Sequence, residues 1–185
     1  VTLPLPVGST QEYKFSADSW TIQEQNDPTA PCTNGNATYT NRVFTIPAQD
    51  TTLGVVCWGS CYGCTVDVTL KVNMAWEVAN NAVSANGVHV AGDFQGWNPS
   101  GTPMTDANND GIYEVTVSVP ANSSIQYKFI NGNAWGQDEP VPGACAVTGT
   151  TNRGATFAYA DSSMSPVCFG KCTDCMASID EALSN

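Results

Sequence analysis

Eight cysteines fall into two sets of the same form. Cys32 is followed by the cluster Cys57, Cys61 and Cys64, and Cys145 by the cluster Cys168, Cys172 and Cys175, each cluster reading Cys-x3-Cys-x2-Cys. Four thiolates can close a tetrahedral zinc site or form two disulfides. No histidine accompanies either set, and an even count in a lysine-poor, turn-rich chain points to disulfides. Four cysteines allow three pairings per set, and spacing does not choose among them. A second chemical stretch is "DANNDGIYE", in which Asp106, Asn108 and Asp110 alternate ahead of Gly111, with Glu114 beyond. This is how a calcium loop begins, its oxygens converging around a glycine turn. Position 12 of such a loop holds Val117 instead of a bidentate acid, so a polar hairpin turn is the plainer reading. Calcium is the cation the stretch would take, and no cofactor is required.

The remaining reactive types offer less. His89, the only histidine, sits in "GVHVAG", which reads as a strand position. There is no Gly-x-Ser-x-Gly elbow, no His-Asp-Ser set and no thiol nucleophile with an evident base. Seventeen acidic residues could always supply a pair of the kind glycosidases use, but nothing marks one out. The expectation is a protein that is not an enzyme. Asn36 in "NAT" and Asn122 in "NSS" are formal glycosylation sequons on expected turns, while "NPS" is excluded by its proline.

The elements that would position these residues are arranged as a repeat. Tyr13-Lys14-Phe15 returns as Tyr127-Lys128-Phe129, Trp20 as Trp135, and Cys32 as Cys145. Thr40-Asn41-Arg42 returns as Thr151-Asn152-Arg153, and "CWGSCYGC" as "CFGKCTDC". The register drifts by only a few residues, so the insertions lie in loops. Residues 65–118 have no upstream counterpart. Within them "TVDVTLKVNMAW", "GVHVAGDF" and "GIYEVTVSV" alternate apolar and polar residues as half-buried strands do. Residues 65–175 therefore read as a complete antiparallel β-sandwich repeat. Residues 1–64 read as only the C-terminal half of one, and 176–185 as a tail. Half a sandwich leaves an apolar face and strand edges uncovered, which invites completion by a neighbouring module or another copy.

Charge narrows the partners. The net charge is −11 with six basic residues, which opposes nucleic acid and anionic membrane surfaces. No apolar run approaches the ~20 residues of a membrane span, so no membrane insertion is expected. The opening "VTLPLPVGST" has no signal-peptide pattern.

"GVHVAGDFQGWNP" and "IQYKFINGNAW" resemble the starch-binding and glycogen-binding modules, which are early-set immunoglobulin-like sandwiches. The similarity covers about residues 88–153 and, faintly, 11–42. With its trailing "VCFGKCTDC", the unit is similar to repeats of large secreted Bacteroidetes-type surface proteins. "MASIDEALSN" resembles the segment preceding their C-terminal sorting domain. The resemblance implies that Trp97 and Trp135 stack on sugar faces while Lys128 and Asn152 bond hydroxyls. Aromatic faces cover sugar C–H groups, and amides and ammonium groups satisfy the rim. Trp20, Lys14 and Asn41 match in the half-unit, where the first tryptophan has no counterpart, so the platform is complete only once. The competing role for such tryptophans is packing against the core or an interface.

The expectation is thus an extracellular or cell-surface, all-β protein of disulfide-stabilised, immunoglobulin-like antiparallel sandwich modules. Its first expected function is structural, with head-to-tail homopolymerisation into a filament, stalk or adhesin. The alternative is a carbohydrate-binding module for α-glucan chains, with polysaccharide as partner.

Overall fold

The computed structural model describes residues 1–173 and 175; the tail segment 176–185 lies outside the described residues. The chain divides into two compact units, Val1–Cys64 and Thr65–Asn185. The first contains β1 (Thr10–Tyr13), β2 (Ser16–Ala17), β3 (Ile22–Gln23) and β4 (Arg42–Thr45). The second contains β5 (Thr65–Asn73), the five-residue helix α1 (Ala75–Ala79), β6 (Val88–Gly92) and β7 (Pro103–Met104). It continues through β8 (Ile112–Pro120), β9 (Ser123–Ile130), β10 (Arg153–Phe157), β11 (Ser162–Ser163) and β12 (Val167–Cys168).

The second unit is an immunoglobulin-like β-sandwich. One sheet runs β11-β5-β12 with β8 also paired to β5, and the other runs β10-β9-β6-β7. The pairings are antiparallel except where the two-residue strands β11 and β12 lie parallel to β5. Alternation explains the core. Val66, Val68, Leu70 and Val72 of β5 face inward with Val117 and Val119 of β8. They meet Val88 and Val90 of β6 and Ile125, Tyr127 and Phe129 of β9. The intervening residues of the first sheet stay wet: Thr69 bonds Thr116 across strands, and Lys71 pairs with Glu114. The outer side of β6 departs from the expected half-buried pattern, because His89 and Ala91 are buried as well.

The first unit is built differently. Its only fully buried residues are Glu24, Asn26, Thr40 and Arg42, none of them apolar. β1 pairs with β4 and β2 with β3, giving two small two-stranded sheets. Phe15, whose repeat counterpart Phe129 is almost inaccessible, is 43% exposed.

The cysteines form four disulfides with the same interlocked pairing in both sets. Cys32–Cys61 and Cys57–Cys64 close the first unit, Cys145–Cys172 and Cys168–Cys175 the second. The thiols bond one another, so the zinc alternative is set aside, and the pairing that spacing left open is first-to-third and second-to-fourth.

A buried ion pair completes the shared architecture. Arg42 donates through Nε and Nη2 to the two carboxylate oxygens of Glu24 at 2.8 and 2.6 Å. Arg153 grips Glu139 in the same bidentate way, at 2.7 Å for both bonds. Each glutamate also accepts the N–H of the Tyr-Lys-Phe phenylalanine and the N–H of a glycine in the cysteine cluster. These are Phe15 and Gly59 for Glu24, and Phe129 and Gly170 for Glu139. Each guanidinium lies over the phenylalanine ring, 5.1 Å from Phe15 and 5.7 Å from Phe129. Arginine suits this position because its planar fork matches a carboxylate while its flat face covers a ring. Burial would raise the Glu24 pKa, but the bonds from Arg42, Phe15 and Gly59 prevail and lower it to about 2.

Candidate glycan-binding site

β6 ends in a tight turn that leads to the half-buried Trp97. A Cβ on Gly92 would lie 2.6 Å from both the Gln126 carbonyl oxygen and the Phe94 ring, so only glycine fits the close approach. A single 3-10 turn, Asp93–Gln95, follows. Gly96 and Trp97 then adopt positive φ values of 73° and 59°, reversing the chain, and the Trp97 N–H returns to the Gly92 carbonyl at 2.8 Å. Gln95 braces the turn, donating to the Asn98 carbonyl and accepting the Asn98 N–H.

Trp135 comes from the loop after β9. The Gln137 side chain accepts the N–H groups of Asn133 and Ala134 at 3.1 Å each, holding the loop closed. Trp135 is 49% exposed, and its ring centroid lies 6.3 Å from that of Trp97 with the planes inclined by 39°. The structure thus brings together the two tryptophans separated by 38 positions in the sequence. Neither belongs to the apolar core cluster.

Of the polar members, Lys128 lies on β9 and Asn152 just ahead of β10. Lys128 is buried in β9 opposite Ala91, and its Nζ reaches Asp138 Oδ2 at 2.5 Å. Burial would raise the Asp138 pKa, but the Lys128 hydrogen bond and charge and the Gly136 N–H outweigh it and hold it below the usual value. Asn152 immediately precedes β10, and its amide donates to Gln126 Oε1 at 3.1 Å. The Arg153–Tyr127 pairing therefore carries Asn152 into register with Lys128. Asp138 and Gln126 were not singled out in the sequence. The signal that could have found them is pairing by repeat, since each binds a residue of the Tyr-Lys-Phe or Thr-Asn-Arg motifs. Glu24 and Glu139 were overlooked in the same way, although the alignment of Trp20 with Trp135 puts them opposite each other.

In the first unit, Trp20, Lys14 and Asn41 line one open pocket of about 520 Å³. The other sequence-singled residues lie apart from either cluster. Asp106 spends its carboxylate on the N–H groups of Asp110 and Gly111, and Asp110 accepts the Ile112 N–H. Asn108 donates to Asp110, and Glu114 faces Lys71 in the sheet. Among the described residues no group of three or more His, Cys, Asp or Glu is arranged to hold a metal. Asn36 and Asn122 are both exposed. Asn36 Oδ1 accepts the N–H groups of Thr38 and Tyr39, and Asn122 turns at φ 53° between β8 and β9.

Residues 61–143 match the model of carbohydrate-binding module 48, the isoamylase N-terminal domain. The second unit is thus similar to that module over much of its length. The matched span holds Trp97, Lys128, Trp135 and Asp138, whereas Asn152 and the whole 145–175 cysteine set lie beyond it. The chain is 33% identical over 90 residues to glucoamylase-1 of Schizophyllum commune, covering 49% of this chain and 15% of the relative. It is 29% identical over 85 residues to an α-amylase of Niallia circulans, covering 45% of this chain and 6% of the relative. The chain thus spans only a small part of these curated relatives. Among solved structures, the γ-CGTase of alkalophilic Bacillus clarkii overlaps 85% of this chain and 22% of its own, with 18% identity and a TM-score of 0.37.

Proposed function

We propose that the second unit is a non-catalytic module that binds α-glucan chains. The observation that carries this reading is the adjacent pair of indoles, half-buried Trp97 and exposed Trp135, within the span that matches carbohydrate-binding module 48. Two inclined rings offer a curved apolar platform for the C–H faces of consecutive sugars. The Lys128–Asp138 and Asn152–Gln126 pairs supply donors and acceptors for hydroxyls, and each pair is already oriented by its own bond. Lys128 and Asp138 carry opposite charges, which suits a neutral ligand. The relatives named as a glucoamylase and an α-amylase support the same ligand class.

Four disulfides are in keeping with an oxidising, extracellular setting, and no helix among the described residues is long and apolar enough to cross a membrane. The filament reading, placed first on sequence grounds, finds no support in the fold or the relatives, and carbohydrate binding takes precedence. Titrating the full chain with maltoheptaose should change indole fluorescence, and Trp135→Ala should weaken or remove the part of that response arising from this platform. Absence of any binding at millimolar maltoheptaose would overturn the reading.

A further inference from the structure

We infer that the first unit holds a second α-glucan site of its own, walled by Trp20 and Tyr39. The inference rests on the ligand class proposed above, but the site lies in a part of the chain that the carbohydrate-binding family model reaches only at residues 61–64.

The pocket is lined by both aromatic and polar residues. Trp20 is 60% exposed and Tyr39 71% exposed, and both line the same recess with Lys14, Gln23, Gln25 and Asn41. Nothing in the first unit's packing calls for these rings, since no apolar residue there is fully buried. Yet the backbone holds both in place. Asp18, Ser19 and Trp20 all have positive φ, at 50°, 53° and 73°, a costly sequence of conformations for residues with side chains. Tyr39 sits in a loop pinned by amides: Asn36 Oδ1 accepts its N–H, and Asn34 Nδ2 donates to its carbonyl.

The comparison between units shows what the recess is suited to hold. Trp20, Lys14 and Asn41 stand at the repeat positions of Trp135, Lys128 and Asn152. Asn41 donates to Glu12 at 3.0 Å, as Asn152 donates to Gln126, so the same amide is held in the same way. Asp138, which occupies Lys128, is replaced by Gln23 at the matching position. Among the described residues no carboxylate pairs with Lys14, and its ammonium is available to a ligand. One cation and one carboxylate, Lys14 and Glu12, again leave the recess close to neutral. The first tryptophan has no counterpart in the repeat, but Tyr39 supplies the second ring from a different loop. A second aromatic residue missing in the alignment therefore lines the same recess.

Calorimetric titration of the full chain with maltoheptaose tests this directly. The wild type should bind two equivalents per chain. Trp20→Ala and Trp135→Ala should each leave one, and the double variant none, with circular dichroism and disulfide content unchanged in all. In the Trp135→Ala background, Tyr39→Ala should weaken the remaining site by about tenfold, the upper range for losing one aromatic contact. One equivalent in the wild type, removed by Trp135→Ala and untouched by Trp20→Ala, would overturn this inference and leave the proposed function standing. One equivalent removed by Trp20→Ala alone would uphold the site and overturn the role given to Trp97 and Trp135. No binding to the wild type would overturn both.

Discussion

Glu24 and Glu139 are two of seventeen acidic residues, and nothing local distinguishes them from the solvated carboxylates around them. Each nevertheless ties three separated segments together: the Tyr-Lys-Phe strand, the arginine of the Asn-Arg dipeptide and the glycine of the cysteine cluster. Removing one partner strands a buried charge, so Glu139→Ala or Arg153→Ala should cost about 3–5 kcal/mol in denaturant unfolding. Glu139→Leu combined with Arg153→Met should cost clearly less than either single change, because no charge is then left unpaired. The Glu24 pair also has a pH signature. Its folded pKa of about 2 lies below the ordinary 4.5, so the fold favours the charged form. The stabilisation is then complete above about pH 4.5 and is lost as pH falls toward 2. Thermal melts of the first unit across that range should show the loss, and Glu24→Gln should flatten the profile while lowering stability at neutral pH.

At the scale of elements, the turn between β6 and Trp97 depends on a residue that cannot carry a side chain. Gly92→Ala would force a methyl into the Gln126 carbonyl and the Phe94 ring. A loss of about 1–3 kcal/mol in thermal unfolding is expected from such overpacking, with weaker maltoheptaose binding as Trp97 shifts. Unchanged melting with unchanged binding would mean that the turn does not position the indole. The strands on either side were legible because their apolar residues alternate, and β5 and β8 keep a nine-residue register that such alternation specifies. β6 was legible as a strand but not as one covered on both sides, since covering His89 and Ala91 is a tertiary event that alternation does not encode. The site was legible where a motif repeats and hidden where a partner does not. Lys128 and Asn152 stood out, but Asp138 and Gln126, which orient them, are separated in sequence by ordinary loop and strand residues. Tyr39 escaped because it has no counterpart in the second unit. The Asn34 and Asn36 amide bonds, which bend the chain locally, help bring it into Trp20's pocket.

Across the whole molecule the two units are stabilised by different means, although they share a cysteine framework and an ion pair. The second has a continuous apolar core running from Val66 to Phe157. The first has two disulfides, one buried ion pair and two short sheets, with no fully buried apolar residue. Below about 70 residues a hydrophobic core alone rarely suffices, and covalent links take over. Removing a native disulfide from such a unit typically costs about 2–5 kcal/mol, a large part of any small domain's stability. Reduction of the intact chain should therefore have unequal effects. Amide hydrogen exchange read by mass spectrometry should show protection lost across residues 10–45 and retained across 65–73, 112–120 and 123–130. Maltoheptaose binding should fall from two equivalents to one under the same conditions, with Trp20 no longer contributing. Equal loss of protection in both units would show that the second unit's apolar core also depends on its disulfides. Retention in both would mean that the Glu24–Arg42 pair and the two small sheets hold the first unit without covalent help.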